Sequence, residues 1–247
     1  MRSILQKTLL FLLIACAFSC GKRSTHYLRI AIDPNWYPMD VKGREKALVG
    51  FSNDLLMEIS KRQNLPLAIL FMNTENLLWG LDEGKYDAIL SSIRPYPFNE
   101  DRFDFSELYL KTGPVLIVAE QFAFTSLEAL KNKEIAIPTG STDALFLKKN
   151  PAILIRSYDS IPTALNAIVA GHLDGAFVDV LAAVAYCKDL YRNQLKIVTP
   201  PLTDDGLRLI ALANHSPELI EGFNRGLDEL MKKGIYAELA GKWGLPY

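Results

Sequence analysis

Residues able to do chemistry are scattered along this chain, and the familiar reactive groupings are missing. The three histidines, His26, His172 and His215, lie far apart with no cysteine or carboxylate at ligand spacing, so no metal site is expected. No Ser/His/Asp set, phosphate-binding loop or dinucleotide fingerprint occurs, and no cofactor is expected. Two carboxylates stand out by position. Asp33 follows the apolar segment Leu28 to Ile32 and Asp179 follows Gly175 to Val178, so each sits where a strand gives way. The alternative for Asp179 is a cap on the helix that follows it. Thr139-Gly140-Ser141-Thr142 reads as a helix start, whose unsatisfied N–H groups suit an anion.

The elements that must position these groups alternate. Leu28 to Ile32 is a strand running into Asp33-Pro34-Asn35-Trp36-Tyr37-Pro38, where two prolines forbid regular structure. Gly50-Phe51 precedes Ser52 or Asn53 as the cap of a helix that carries Leu55, Leu56 and Ile59 as far as Asn64-Leu65-Pro66. A strand at Leu67 to Phe71, a helix from Thr74 to Gly84 and a strand at Tyr86 to Leu90 complete a first series. The second series has strands at Glu134 to Ile137, Ile153 to Arg156 and Gly175 to Val178, with a helix from Ser160 to Ala170 stopped by Gly171. The apolar runs Pro114 to Ala119 and Leu195 to Val198 read as extended crossovers. A strand at Leu207 to Leu212 and helices at Pro217 to Lys233 and Tyr236 to Trp243 follow. Repeated strand-helix-strand order argues for mainly parallel sheets covered by helices. Two such series joined by two crossovers predict a two-lobed α/β fold, with lobe 1 over residues 27–115 and 201–247 and lobe 2 over 116–200. The strand ends of both lobes then face a shared cleft, where ligands of open α/β sheets bind.

Composition excludes several classes of function. The 247 residues are 49% hydrophobic and 22% charged, with a formal net charge of -1, so neither disorder nor a long-range attraction for nucleic acid is expected. Residues 1–19 read as a secretory signal: Arg2 and Lys7 precede the apolar run Leu9 to Phe18, which is too short to span a bilayer. Cys20 follows Ala17-Phe18-Ser19 and is the expected lipidation site, with Cys16 or plain secretion as alternatives, and residues 20–26 then form a tether. Either removal or acylation of those two cysteines leaves Cys187 without an internal disulfide partner, expected as a small core residue.

The segments Leu28 to Pro38, Val49-Gly50-Phe51-Ser52-Asn53-Asp54-Leu55, Gly84-Lys85-Tyr86-Asp87-Ala88-Ile89, Phe103 to Tyr109, Gly140-Ser141-Thr142, Gly171 to Asp179 and Lys242-Trp243-Gly244 resemble, in order, those of the polar amino-acid-binding proteins of bacterial ABC importers. The resemblance covers Tyr27 to Tyr247. It implies a type II periplasmic-binding-protein fold, closure on an amino acid, and delivery to a membrane permease and its ATPase by a monomer anchored in the periplasm. Recognition of a zwitterion needs a carboxylate for the ammonium and a guanidinium or several N–H groups for the carboxylate. By resemblance, Asp179 takes the ammonium, Thr142 with the turn at Gly140 clamps the carboxylate, and Ser91 and Ser92 receive both groups. Asp33 meets the ligand side chain and favours a basic or amide group, while Trp36 and Phe51 wall the slot, Trp36 by stacking on a cation or flat amide.

One position departs from that pattern. The arginine expected at position 99 is Asn99, which carries no charge for a bidentate ion pair. Arg94 and Arg102 flank it, and Arg94, close behind Ser91-Ser92-Ile93, is the expected substitute, with Arg102 on the surface. The fold also resembles periplasmic cyclohexadienyl dehydratases, an enzyme alternative that requires a general acid in the slot, with His172 and Glu107 as the candidates.

Overall fold

The computed structural model describes residues 27–36, 41, 43–139 and 152–246. Cys16, Cys20, His26, Tyr37, Gly140, Ser141 and Thr142 lie outside the described residues. The chain runs through β1 (Leu28–Ile32), α1 (Glu45–Gln63), β2 (Leu67–Phe71), α2 (Thr74–Asp82), β3 (Ala88–Ser91), the single turn α3 (Pro97–Glu100), β4 (Phe103–Phe105) and β5 (Leu110–Lys111). It then passes through β6 (Pro114–Ala119), β7 (Glu134–Pro138), β8 (Leu154–Tyr158), α4 (Ile161–Val169), β9 (Gly175–Asp179), α5 (Val180–Lys188) and β10 (Leu195–Ile197). It returns through β11 (Gly206–Leu212), α6 (Pro217–Lys232) and α7 (Ile235–Lys242).

Two sheets result, which is the predicted two-lobed α/β arrangement. The first has the order β2-β1-β3-β11-β4 with β5 on β11, and the second β10-β6-β9-β7-β8. In the first, β1, β2 and β3 are parallel and β11 runs against β3; in the second, β7, β8 and β9 are parallel and β6 runs against β9. Alternation along the strands divides the lobe 1 core. Ile30 and Ile32 join Leu48, Leu55 and Leu56 of α1 and Phe223 of α6 on one face, whereas Ala31 and Ile89 join Leu77 and Leu81 of α2 on the other.

The expected crossover segments are corrected. Pro114–Ala119 is a full strand inside the second sheet, bonded to β9 on one side and to β10 on the other, and Leu195–Ile197 is the edge strand beside it. The covalent links between lobes are therefore the short Thr112-Gly113 and the segment 198–205. They touch: a Cβ on Gly113 would collide with Thr203 Oγ1. The continuous apolar character of both runs reflects burial on two faces of a sheet, which sequence alone does not separate from an extended linker.

The first helix also differs from expectation. It starts at Glu45, so Gly50-Phe51-Ser52 lies inside it rather than at its cap. Gly50 serves close packing instead, because a Cβ there would overlap the Trp243 ring. Trp243 Nε1 donates to Asp54 Oδ2 at 2.8 Å and Lys242 Nζ donates to the same oxygen at 2.6 Å, which fastens the end of the chain to α1. Burial by itself raises the Asp54 carboxyl, but the hydrogen bonds from Lys242 and Trp243 outweigh it and hold it below its ordinary value of 3.8. A carboxyl depressed by folding stabilises above its ordinary value and loses that contribution as pH falls through the depressed one. Asp54→Asn is expected to melt below wild type near neutral pH, with the gap closing as pH falls through and below the ordinary carboxyl value, as thermal melts across the acid range will measure.

Candidate functional site

Strand direction decides which ends meet. The carboxyl ends of β1 and β3 lie on the same edge of the first sheet as the start of β11, since Ser91 pairs with Arg208 and Lys111 with Gly206. On the second sheet the carboxyl end of β9 lies beside the entry of β6, since Asp179 pairs with Pro114. Both edges adjoin the two links: Asp33 and Ser92 follow strand ends on that edge of lobe 1, Ser91 ends β3, Arg94 lies in the loop just beyond it, and Asp179 ends β9 on the corresponding edge of lobe 2.

Asp179 is exposed at the N-cap position of α5 and makes no side-chain capping bond to that helix. It lines a cavity of about 380 Å³ together with Pro138, Tyr158, Asp159, Ser160 and Tyr186. Polar order at the cavity mouth comes from Thr139, whose hydroxyl donates to Asp159 at 2.8 Å, and from Ser160, which caps α4 by accepting from Thr163 N. Asp159 and Ser160 do not stand out in the sequence, where Ser160 reads only as the start of a helix.

Asp33 is buried and both its oxygens are engaged, Oδ1 by the Asn35 N–H at 2.9 Å and Oδ2 by the Thr74 hydroxyl. It holds the loop after β1 against the start of α2 and lines a cavity with Asn73 and Glu75. A carboxylate has about four acceptor sites, so these two bonds leave acceptor capacity. Ser91 accepts a bond from the Ile93 N–H at 3.4 Å, and Ser92 is half-buried beside it.

The two aromatic residues expected as slot walls are placed in the core. Phe51 is fully buried on the inner face of α1, stacked on Tyr109 and edge-on to Tyr236, so no face of its ring meets the cleft. Trp36 is 3% exposed within the same apolar cluster, with its indole Nε1 lacking a hydrogen-bond partner. The reason in both cases is that an aromatic side chain next to a loop or helix start gives no information about which face it takes. Tyr96 and Phe98, by contrast, are exposed and stacked at 5.6 Å, and Tyr158 and Tyr186 line the lobe 2 cavity.

Arg94 is half exposed, donates through Nη1 to Tyr96 Oη at 2.8 Å, and pairs through Nε with Asp205 Oδ1 at 2.5 Å. Asp205, immediately before β11, does not stand out in the sequence because it lies more than a hundred residues from Arg94. Asn99 holds the intervening loop closed, since its Nδ2 donates to the Arg94 carbonyl at 2.7 Å. Arg102 pairs on the surface with both oxygens of Asp82. Neither enzyme candidate is suitably placed. His172 is exposed at the end of β9 opposite Asp179, and Glu107 is exposed with its backbone N–H bonded to Asn224. Cys187 is half-buried rather than fully so, and burial, with Glu120 nearby, pushes its thiol up to about 11. Among the described residues no group of three His, Cys, Asp or Glu side chains is arranged to hold a metal, and no helix is long and apolar enough to cross a membrane.

Asn99→Ala removes a neutral, partly buried hydrogen bond that fixes the Arg94 loop. A loss of about 0.5–1.5 kcal/mol is expected, to be read from the midpoint of urea unfolding.

Comparison with known proteins places this architecture. Residues 28–246 match the profile of the bacterial extracellular solute-binding proteins, family 3. The histidine-binding periplasmic protein of Escherichia coli is 27% identical over 252 residues, covering 97% of each chain. The putative ABC transporter arginine-binding protein 2 of the same species is 27% identical over 244 residues, covering 97% of this chain and 99% of its own. In three dimensions the fold is similar to the L-cystine solute receptor of Neisseria gonorrhoeae in its unliganded open conformation, with a TM-score of 0.71 at 19% identity over 89% of this chain and 93% of that one. With the family profile spanning nearly all of it, the chain belongs to the bacterial extracellular solute-binding proteins, family 3.

Proposed function

We propose that this protein captures a free amino acid with a basic or amide side chain between its lobes and delivers it to a membrane permease of an ABC importer. The reading is supported by the placement beside the links of both the β9 end that carries Asp179 and the β3 end that leads to Arg94, a carboxylate and a guanidinium that together would complement a zwitterion. Ser91, Ser92 and Thr142 supply further polar groups in this reading. Asp33 and Glu75, lining one lobe 1 cavity, favour a cationic or amide side chain. The relatives named for histidine and arginine agree with that preference. Those relatives and the family profile describe binding proteins, and the placement of His172 and Glu107 gives no support to the dehydratase alternative. Arg94 then takes the part of the absent arginine at position 99, and Asn99 holds its loop. Trp36 and Phe51 support the lobe 1 core and do not touch ligand in this reading. The protein works in the periplasm as a monomer, anchored through lipid on Cys20.

A thermal-shift panel of the twenty amino acids tests the substrate class. Ligand at about 100 times its Kd stabilises by about 2.7 kcal/mol, which is a rise of roughly 5–10 °C for a chain of this size. At least one of arginine, lysine, histidine or glutamine is expected to give it, and both Arg94→Ala and Asp179→Asn are expected to abolish it; no shift with any amino acid defeats the reading. The anchor is tested separately: Cys20→Ser is expected to move the protein from the membrane to the soluble envelope fraction, and an unchanged distribution points to Cys16.

A further inference from the structure

Arg94 does not wait with an empty coordination sphere. Its Nε is paired at 2.5 Å with Asp205 Oδ1, and Asp205 is the more firmly held of the two. Asp205 Oδ2 accepts from Thr203 Oγ1 at 2.8 Å, its carbonyl accepts from the Thr112 N–H at 2.8 Å, and the next residue, Gly206, is already in register with Lys111 in the sheet. Arg94 sits in the loop after β3 on a long flexible side chain, fastened at its backbone by Asn99. The fixed partner is thus a carboxylate of the protein, at the cleft edge, engaging the guanidinium that the proposed function assigns to the carboxylate of the ligand.

The geometry points to Asp205 as a specificity-determining residue: it is a built-in surrogate for the ligand carboxylate, occupying Arg94 until an incoming α-carboxylate displaces it. This rests on the proposed function, since a ligand without a carboxylate has no reason to compete. Side chains of the pair are 41% and 25% exposed. A pair that open to water is weak, worth a factor of about two to five in an equilibrium, so a ligand carboxylate offering both oxygens to the guanidinium displaces it at small cost. Two consequences follow from the competition. Affinity for amino acids is held below what Arg94 alone would give, and the selectivity for amino acids over the corresponding amines is narrowed, because only the acid has to evict Asp205.

The test compares wild type with Asp205→Asn and Asp205→Ala by isothermal titration. Each protein is titrated with the amino acid that shifts wild type most and with its decarboxylated analogue, agmatine for arginine or histamine for histidine. Both variants are expected to bind the amino acid about two- to fivefold more tightly, with amine binding unchanged or undetectable throughout, and the gain is expected to disappear in an Arg94→Gln background. Unchanged or weaker amino-acid binding in both variants overturns the inference, as does an equal gain for the amine or a gain that persists without Arg94. Wild type that binds no amino acid defeats the proposed function itself, whereas wild-type binding without a gain in the variants defeats only the role of Asp205.

Discussion

The two strands of chain that join the lobes pass within van der Waals contact at Gly113 and Thr203, and the strand ends carrying Asp179 and Asp205 lie directly beside that contact. A side chain at position 113 would collide with Thr203 Oγ1, so the links would have to separate. Their closeness is what lets β6 begin immediately after Gly113 and pair with β9 at Asp179, and what brings Asp205 back to the edge of the first sheet two residues after Thr203. The Val180 N–H bonds to the Gly113 carbonyl, which ties the start of α5 to the same point. Lobe 1 and lobe 2 are thus apposed through backbone groups, and the ionic groups are mounted on that frame.

Each sheet contributes an antiparallel strand to an otherwise largely parallel set, β11 in lobe 1 and β6 in lobe 2. Without these guests the carboxyl ends of the parallel strands would have no link beside them. With them, the ends that carry Asp33, Ser91 and Asp179 are also the ends at which the chain crosses. The apolar core supports this by continuity, since one buried cluster includes Tyr109 and Leu207 of lobe 1 and Val115, Val178 and Val180 of lobe 2. Tyr109 adds a buried hydrogen bond to Ser52 and receives one at its carbonyl from Tyr236, so the region beside the links is stiffened from α1 and α7 as well.

Local periodicity is sufficient to read most elements in the sequence, because Leu28–Ile32, Leu67–Phe71, Gly175–Asp179 and the amphipathic helix Pro217–Lys232 carry their own pattern of burial. What cannot be read is anything settled by a distant partner. Gly50-Phe51-Ser52 looks like a helix start until Trp243, nearly two hundred residues later, is found packed on Gly50. Pro114–Ala119 has the same apolar composition as a linker or as a strand between two others, and only its neighbours β9 and β10 decide. The candidate site divides in the same way. Strand-end carboxylates are legible from the chain, whereas the inward turn of Trp36 and Phe51 and the pairing of Arg94 with Asp205 depend on packing between elements.

The register of Asp179 with Pro114 gives the cleft a short lever. For any rotation of one lobe against the other about the links, a group travels in proportion to its distance from the axis, and Asp179 and Asp205 lie close to it. Tyr158 and Asp159, two strands farther out across the second sheet, sweep a much longer arc. Such a rotation is graded along the depth of the cleft: groups near the axis shift little with opening angle, while groups at the outer lip shift most. In the proposed function, recognition of the ionic ends of a solute and detection that it has been enclosed fall at different radii of the same rotation.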